Sequence, residues 1–162
     1  MNPVLQGGTF ATTSGVLTGT GAETVFDTTV TISYCINGRA YTKTAVTDGV
    51  TPTTDINTGA AFEAVLPDQA CIFLWLLNAN GDVKLAQGPI VDVDGNTDLL
   101  ENAAQFPTFD ESTYCPFAYT LYQTTGASSA AGLRPGTSNW NAAGLTATHR
   151  NLLCLPNRPV TA

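Results

Sequence analysis

Charge is scarce in this chain: Asp, Glu, Lys and Arg together supply 12% of 162 residues, against a usual share of about 25%. Helical bundles held in solution by charged faces are therefore not expected. Positive charge is scarcer still, with six Lys and Arg against 13 Asp and Glu and a net charge of -7. Those six are scattered, which excludes a nucleic-acid surface, since phosphate neutralisation needs clustered cations. Histidine occurs once, at His149, so neither a histidine-rich metal site nor a nucleophile–His pair has support, and no catalytic residue is assigned. Long apolar runs are missing too. The longest, Cys71 to Leu77, is far short of the roughly 20 residues that span a bilayer, and no membrane association is expected. The first eight residues carry no basic group and no apolar core of a signal peptide, so synthesis and retention in a cytosol are expected. Cysteines 35, 71, 115 and 154 form no CxxC pair. Zinc sites of the usual spacing are excluded, and free, mostly buried thiols are expected.

What is abundant is Thr, Gly, Ala and Asn, the composition of a β-protein with many turns. Residues 70–93 organise it. The apolar run 71–77 reads as one strand buried on both faces, Asn80-Gly81 as a type I′ hairpin turn, and 82–86 as a return strand with Val83 and Leu85 on its dry side. Pro89 should bend that strand before Ile90-Val91 resumes it. A half-wet strand is expected over residues 25–36, with Phe26, Val30, Ile32, Tyr34 and Ile36 on one face, then a second I′ turn at Asn37-Gly38 and a returning strand over 39–46. Residues 48–59 read as a long exposed loop, 60–66 as a short strand, 116–122 as a strand, 124–132 as a surface loop and 149–155 as a last short strand. One helix is expected over residues 99–105, capped by Asp98 with Glu101 in a capping-box relation and stopped before Pro107. The expected fold is all-β, a sandwich or a jelly-roll-like small barrel with one short helix and extended terminal arms. The divisions are an N-terminal arm or edge strand (1–24), a β domain (25–154) and a proline-stiffened tail (155–162).

Chemistry is thin. Asp92 to Asp98 alternates oxygen donors, but an EF-hand needs Gly at its sixth position and Glu at its twelfth, where Thr97 and Ala103 stand. A strand end, an Asp-Gly turn and a helix cap explain the same residues, and no metal or cofactor is expected. No acid cluster flanked by aromatics and no glycine-rich phosphate loop appears. His149 reads as a structural histidine. Trp140, between two Asn, sits where no regular element is expected. Such an indole is buried under its own turn or anchors a contact with another chain.

Cys115-Pro116-Phe117-Ala118-Tyr119, Pro135-Gly136-Thr137 leading into Trp140-Asn141-Ala142-Ala143-Gly144-Leu145-Thr146, Asn151-Leu152-Leu153 and Leu155-Pro156-Asn157-Arg158-Pro159 together resemble the small β-rich decoration (cement) proteins of bacteriophage heads. The resemblance covers roughly the last third of the chain. It implies a non-catalytic virion structural protein, made in the host cytoplasm and placed on the capsid surface. Its partner would be the major capsid protein, and it would cluster as a trimer or dimer at symmetry axes. The thin arm and stiff tail suit a chain that completes its burial against neighbours, which makes Asn2, Pro3, Val4, Leu5, Phe10, Trp140, Leu155, Pro156, Arg158 and Pro159 the expected contact residues. The alternative is a receptor-binding or fibre/tail module recognising a host glycan through exposed aromatics such as Trp140 and Tyr114.

Overall fold

A computed structural model of the chain describes residues 8–19, 21–93 and 104–154. The fold is all-β. Its strands, all paired antiparallel, are β1 (Phe10–Ala11), β2 (Leu17–Thr18), β3 (Val25–Thr28), β4 (Ile32–Ile36), β5 (Arg39–Lys43), β6 (Val46–Val50), β7 (Gln69–Leu77), β8 (Val83–Gln87), β9 (Val91–Asp92), β10 (Cys115–Thr124) and β11 (Leu145–Asn151). A five-stranded sheet runs β11-β10-β7-β8, with β9 also on β7. Two three-stranded sheets, β1-β4-β5 and β2-β3-β6, accompany it, and none of the three closes into a barrel.

The apolar run forms the centre of the large sheet. Every side chain from Ala70 to Leu77 is fully buried, as an unbroken hydrophobic strand requires when both faces are covered. Cys71, Phe73, Trp75 and Leu77 face one core, joined by Phe26, Ile32, Tyr34 and Ile36 from the two small sheets. Ala70, Ile72, Leu74 and Leu76 face a second core with Tyr119, Leu121 and Leu152, against which Phe106, Phe109 and Tyr114 pack. Trp75 is the hub of the first core, its ring 5.0 Å from Phe26 and 6.4 Å from Phe117. Such ring pairs add about 0.5–1.5 kcal/mol each beyond area burial. Layered in this way, the domain is sandwich-like.

Strand β10 follows the expected alternation only after a bulge. Cys115 and Pro116 pair with Leu77 and Leu76, Ala118 pairs with Trp75, and Phe117 is the extra residue between them. Pro116 supplies no ladder N–H, so the irregularity falls where the chain has least to lose. The bulge turns Phe117 into the first core alongside Tyr122.

Several expectations are corrected. The segment 25–36 is not one strand: β3 and β4 belong to different sheets, and Val30 between them is 40% exposed. Its partner divides likewise into β5 and β6. Residues 60–66 form single bridges, Ala61 to Thr54 and Val65 to Leu133, in place of a strand. The reason is spacing: Phe62 and Val65 point inward three residues apart, a period no flat strand presents. The last strand begins at Leu145, four residues before the expected start. Asn37-Gly38 is the expected I′ turn, with φ of 52° and 76°. Asn80-Gly81 is not, since only Gly81 has positive φ (78°) and its N–H donates to Asn78 C=O at 3.0 Å, a type I turn closed by a left-handed glycine. Asn78 decides this, its Oδ1 accepting from the N–H groups of Asn80 and Asp82, both at 2.9 Å. Beyond Pro89 the strand resumes as β9, as expected. Residues 99–103 of the expected helix lie outside the described residues, and Ala104 and Gln105 belong to no regular element.

Candidate functional site

The N-terminal segment that the sequence leaves without a core partner finds one in its own chain. Residues 8–19 lie as a strap across the two small sheets. Phe10 and Ala11 pair with Cys35 and Tyr34, and Leu17 and Thr18 with Thr28 and Asp27. Between those bridges the hydroxyls of Thr12 and Thr13 donate to Ser33 C=O and Thr31 C=O, at 3.0 and 3.1 Å. The strap's other flank meets the end of the domain, where Ala11 N–H donates to Leu153 C=O at 2.9 Å and Leu17 N–H to Asn151 Oδ1 at 2.7 Å. Ala11 and Leu17 are buried beneath it.

Its outer surface is apolar. Of six large hydrophobic side chains left exposed among the described residues, Phe10 (41%), Val16 (38%), Val30 (40%) and Leu153 (52%) lie on the strap or beside it. Val30 belongs with them because Val16 C=O accepts from the N–H of its neighbour Thr29. Val16 is also strained, a β-branched residue held at φ 45° where the strap passes from one small sheet to the other. Strain and exposed apolar groups on one short segment mark a working surface.

His149, the one residue able to titrate near neutrality, is committed to structure. Its Nε2 is 3.3 Å from Gly19 C=O and its Nδ1 2.7 Å from Thr120 Oγ1. A carbonyl can only accept, so Nε2 carries the proton and Nδ1 accepts the Thr120 hydroxyl. Thr120 Oγ1 in turn accepts from Trp75 Nε1 at 2.8 Å. Burial pushes the His149 pKa below its ordinary 6.5, partly offset by the bond to Gly19. This ties the strap to the sheet and engages both nitrogens of the imidazole.

A cavity of about 600 Å³ opens beside β8, with Asp55 and Glu63 among its walls. Its polar groups hold the loop 53–63 in place. Asp55 Oδ1 accepts from Gln87 N–H at 3.1 Å, and the Gln87 amide both accepts from Glu63 N–H and donates to Glu63 C=O, at 2.8 and 2.9 Å. Among the described residues no group of three His, Cys, Asp or Glu is placed to hold a metal ion.

Of the residues expected to make contacts, Asn2, Pro3, Val4, Leu5, Leu155, Pro156, Arg158 and Pro159 lie outside the described residues. Phe10 is on the strap surface. Trp140 is not at the surface: it is 5% exposed, its Nε1 donates to Val25 C=O at 2.6 Å, and its ring packs against Trp75, Tyr122 and His149. The indole thus lies in the first core, where it offers no exposed stacking face to a sugar. Tyr114 is half-buried against the second core. Val16, Val30 and Leu153 are not among the expected contacts: Val16 stands alone in a Thr- and Gly-rich segment, while Val30 and Leu153 fall within stretches that read as strands. Comparison with known protein families, characterised proteins and solved structures finds no match to this chain.

Proposed function

We propose that the chain is a non-catalytic virion structural protein that binds the outer surface of a bacteriophage capsid and reinforces it, with the strap as the docking face. The observation that carries this reading is the concentration of exposed apolar side chains on one face, Phe10 and Val16 on the strap and Val30 and Leu153 beside it, with backbone strain at Val16. The resemblance of the closing third to capsid decoration proteins supplies the identity of the partner, the major capsid protein. Clustering as a trimer or dimer at a symmetry axis would let several modest contacts act together, since each docked copy raises the effective concentration of the next. The His149 arrangement supports a role without catalysis.

Deleting the strap would remove Ala11 and Leu17 from the core, so point variants are the proper test. Purified protein is mixed with phage heads that lack it and the heads are sedimented. Wild type is expected to saturate at a simple fraction of the major capsid protein copy number. Phe10→Ser with Leu153→Ser is expected to weaken binding at least about tenfold while stability moves by no more than about 1 kcal/mol, as for exposed sites. Absence of saturable binding, or full binding by the double variant, would overturn the proposal.

A further inference from the structure

The cavity beside β8, at about 600 Å³, falls within the range of about 300–1,000 Å³ usual for small-molecule sites. Three stretches wall it: the loop 55–63, the end of β8 running on through Gly88, Pro89 and Ile90, and the segment 105–108. They are pinned to one another and to the sheet. Asn57 Nδ2 donates to Thr108 C=O at 2.9 Å, joining the first stretch to the third, and the Gln87 amide clamps the backbone of Glu63 to β8. Gly88 N–H donates to Ile72 C=O at 2.8 Å, which fixes the floor to β7. The walls are therefore set before any ligand arrives.

Those bonds engage the neutral amides and leave the charged groups over. Asp55 is only 7% exposed, yet its carboxylate accepts one hydrogen bond, from Gln87 N–H to Oδ1 at 3.1 Å. Among the described residues its Oδ2 has no donor, and neither Asp55 nor Glu63 makes an ion pair. A carboxylate so buried calls for a positive partner. No Lys, Arg or His stands in the cavity lining to supply one. Of the cations nearby, Lys84 lies on the opposite face of β8 from Gln87, and Arg134 is held by Phe62 C=O, to which its Nε donates at 2.8 Å. With Arg134 counted in full the site is still negative. Both carboxylates act on the same floor: Cys71, its Sγ 3.1 Å from Gly88 C=O, is pushed up chiefly by burial and further by the Glu63 and Asp55 charges.

Pro89, Ile90, Phe106 and Pro107 make the rest of the wall apolar. A hard metal ion takes about six or more oxygen ligands, and among the described residues no three acids are gathered to begin such a set. A neutral sugar needs fixed donors, whereas Asn57 Nδ2 and Gln87 Nε2 already donate to backbone carbonyls. An ammonium on an alkyl chain meets both halves of the cavity, its charge on the buried carboxylate and its methylenes on the apolar wall.

We propose that this cavity binds an alkylammonium ligand, a small primary amine or diamine, with the ammonium donating to Asp55 Oδ2, the exposed Glu63 adding attraction, and the methylenes lying against Ile90 and Phe106. The cavity shares no residue with the strap, so its test does not depend on what the strap docks against. That test is an NMR amide-shift titration of the intact protein at pH 7 with cadaverine, 1,5-pentanediol, ammonium chloride and calcium chloride. Cadaverine is expected to give saturable shifts confined to residues 55–63, 87–90 and 105–108, with a Kd of about 1 mM or below that weakens with salt. It should bind at least about tenfold tighter than the diol, which lacks the charge, and than the ammonium ion, which lacks the chain. Asp55→Asn keeps an Oδ1 acceptor for Gln87 N–H and should lower the cadaverine affinity about tenfold or more. Glu63→Gln, at an exposed position that folding does not need, should lower it about threefold and carries the test if Asp55→Asn fails to fold. Diol or ammonium ion binding as tightly as cadaverine, calcium shifting the same amides at lower concentration, shifts elsewhere, no saturation by about 20 mM, or unchanged affinity in the folded variants would each overturn the assignment.

Discussion

Thr120 accepts one hydrogen bond and donates another within a fully buried side chain, and both of its partners depend on it. Replacing it by the isosteric Val keeps the volume but orphans Trp75 Nε1 and His149 Nδ1. At about 1–3 kcal/mol for each unsatisfied group, with some relaxation, Thr120→Val should cost about 2–4 kcal/mol in urea unfolding. A loss under 1 kcal/mol would show that the chain of bonds contributes little. The same arrangement sets a pH dependence. Because burial lowers the folded pKa of His149 below 6.5, the unfolded state takes up the proton first. Stability from this group is therefore complete above the unfolded value and is lost as pH falls from about 6.5 towards the folded pKa. The groups that face the imidazole are Thr120, Gly19 C=O and the Trp140 ring, and none offers a compensating negative charge. Unfolding midpoints of wild type and His149→Gln should keep a constant separation above pH 7 and converge as the pH falls below about 6.5. Curves that stay parallel throughout would contradict this.

Sequence places β7, the β4–β5 hairpin with its Asn37-Gly38 turn, and β10 beyond its bulge correctly, but equally strong signals over residues 25–36 and at Asn80-Gly81 mislead. Sequence fails where pairing is set by distant segments. The break between β3 and β4 follows from the strap, since Thr13 bonds at Thr31 and Val16 at Thr29, pulling that stretch out of a single ladder. Nothing within residues 25–36 announces this. The bulge at Phe117 likewise answers to Trp75 and Leu76, about forty residues away along the chain, and the bridge at Val65 to Leu133, farther still. Gly88 shows the same dependence in testable form. A Cβ there would stand 2.5 Å from Gln105 C=O and 3.1 Å from Ile72 C=O, so the segment following residue 104 approaches β7 only because this position has no side chain. Neither neighbour is a flexible side-chain end, and Gly88→Ala should therefore cost about 1–3 kcal/mol by overpacking. For a domain of this size that lowers the melting temperature by several degrees, at about 2–4 °C per kcal/mol. An unchanged melting temperature would mean that the segment lifts away without penalty.

At the scale of the molecule, the proposed docking face is a tertiary product, since the strap's apolar surface is completed by Leu153 from the far end of the described chain. What holds this face rigid is the large sheet between its two cores, and its cysteines report on whether that sheet opens as one unit. Cys71 lies on β7 with its Sγ 3.1 Å from Gly88 C=O, Cys115 begins β10, and both are fully buried. Desolvation pushes each thiol up to about 12, so at pH 8 only about one molecule in 10,000 would present a thiolate even if reagent could enter. Cys35 is half-buried and Cys154 exposed. With a disulfide reagent at pH 8, Cys154 should react within the mixing time and Cys35 more slowly. Cys71 and Cys115 should be modified together, at a rate that rises with urea as global unfolding does. Peptide mapping after timed quenching separates the four sites. If Cys71 were labelled well before Cys115, the β7–β8–β9 side of the sheet would be opening on its own, and the sheet would not act as one cooperative unit.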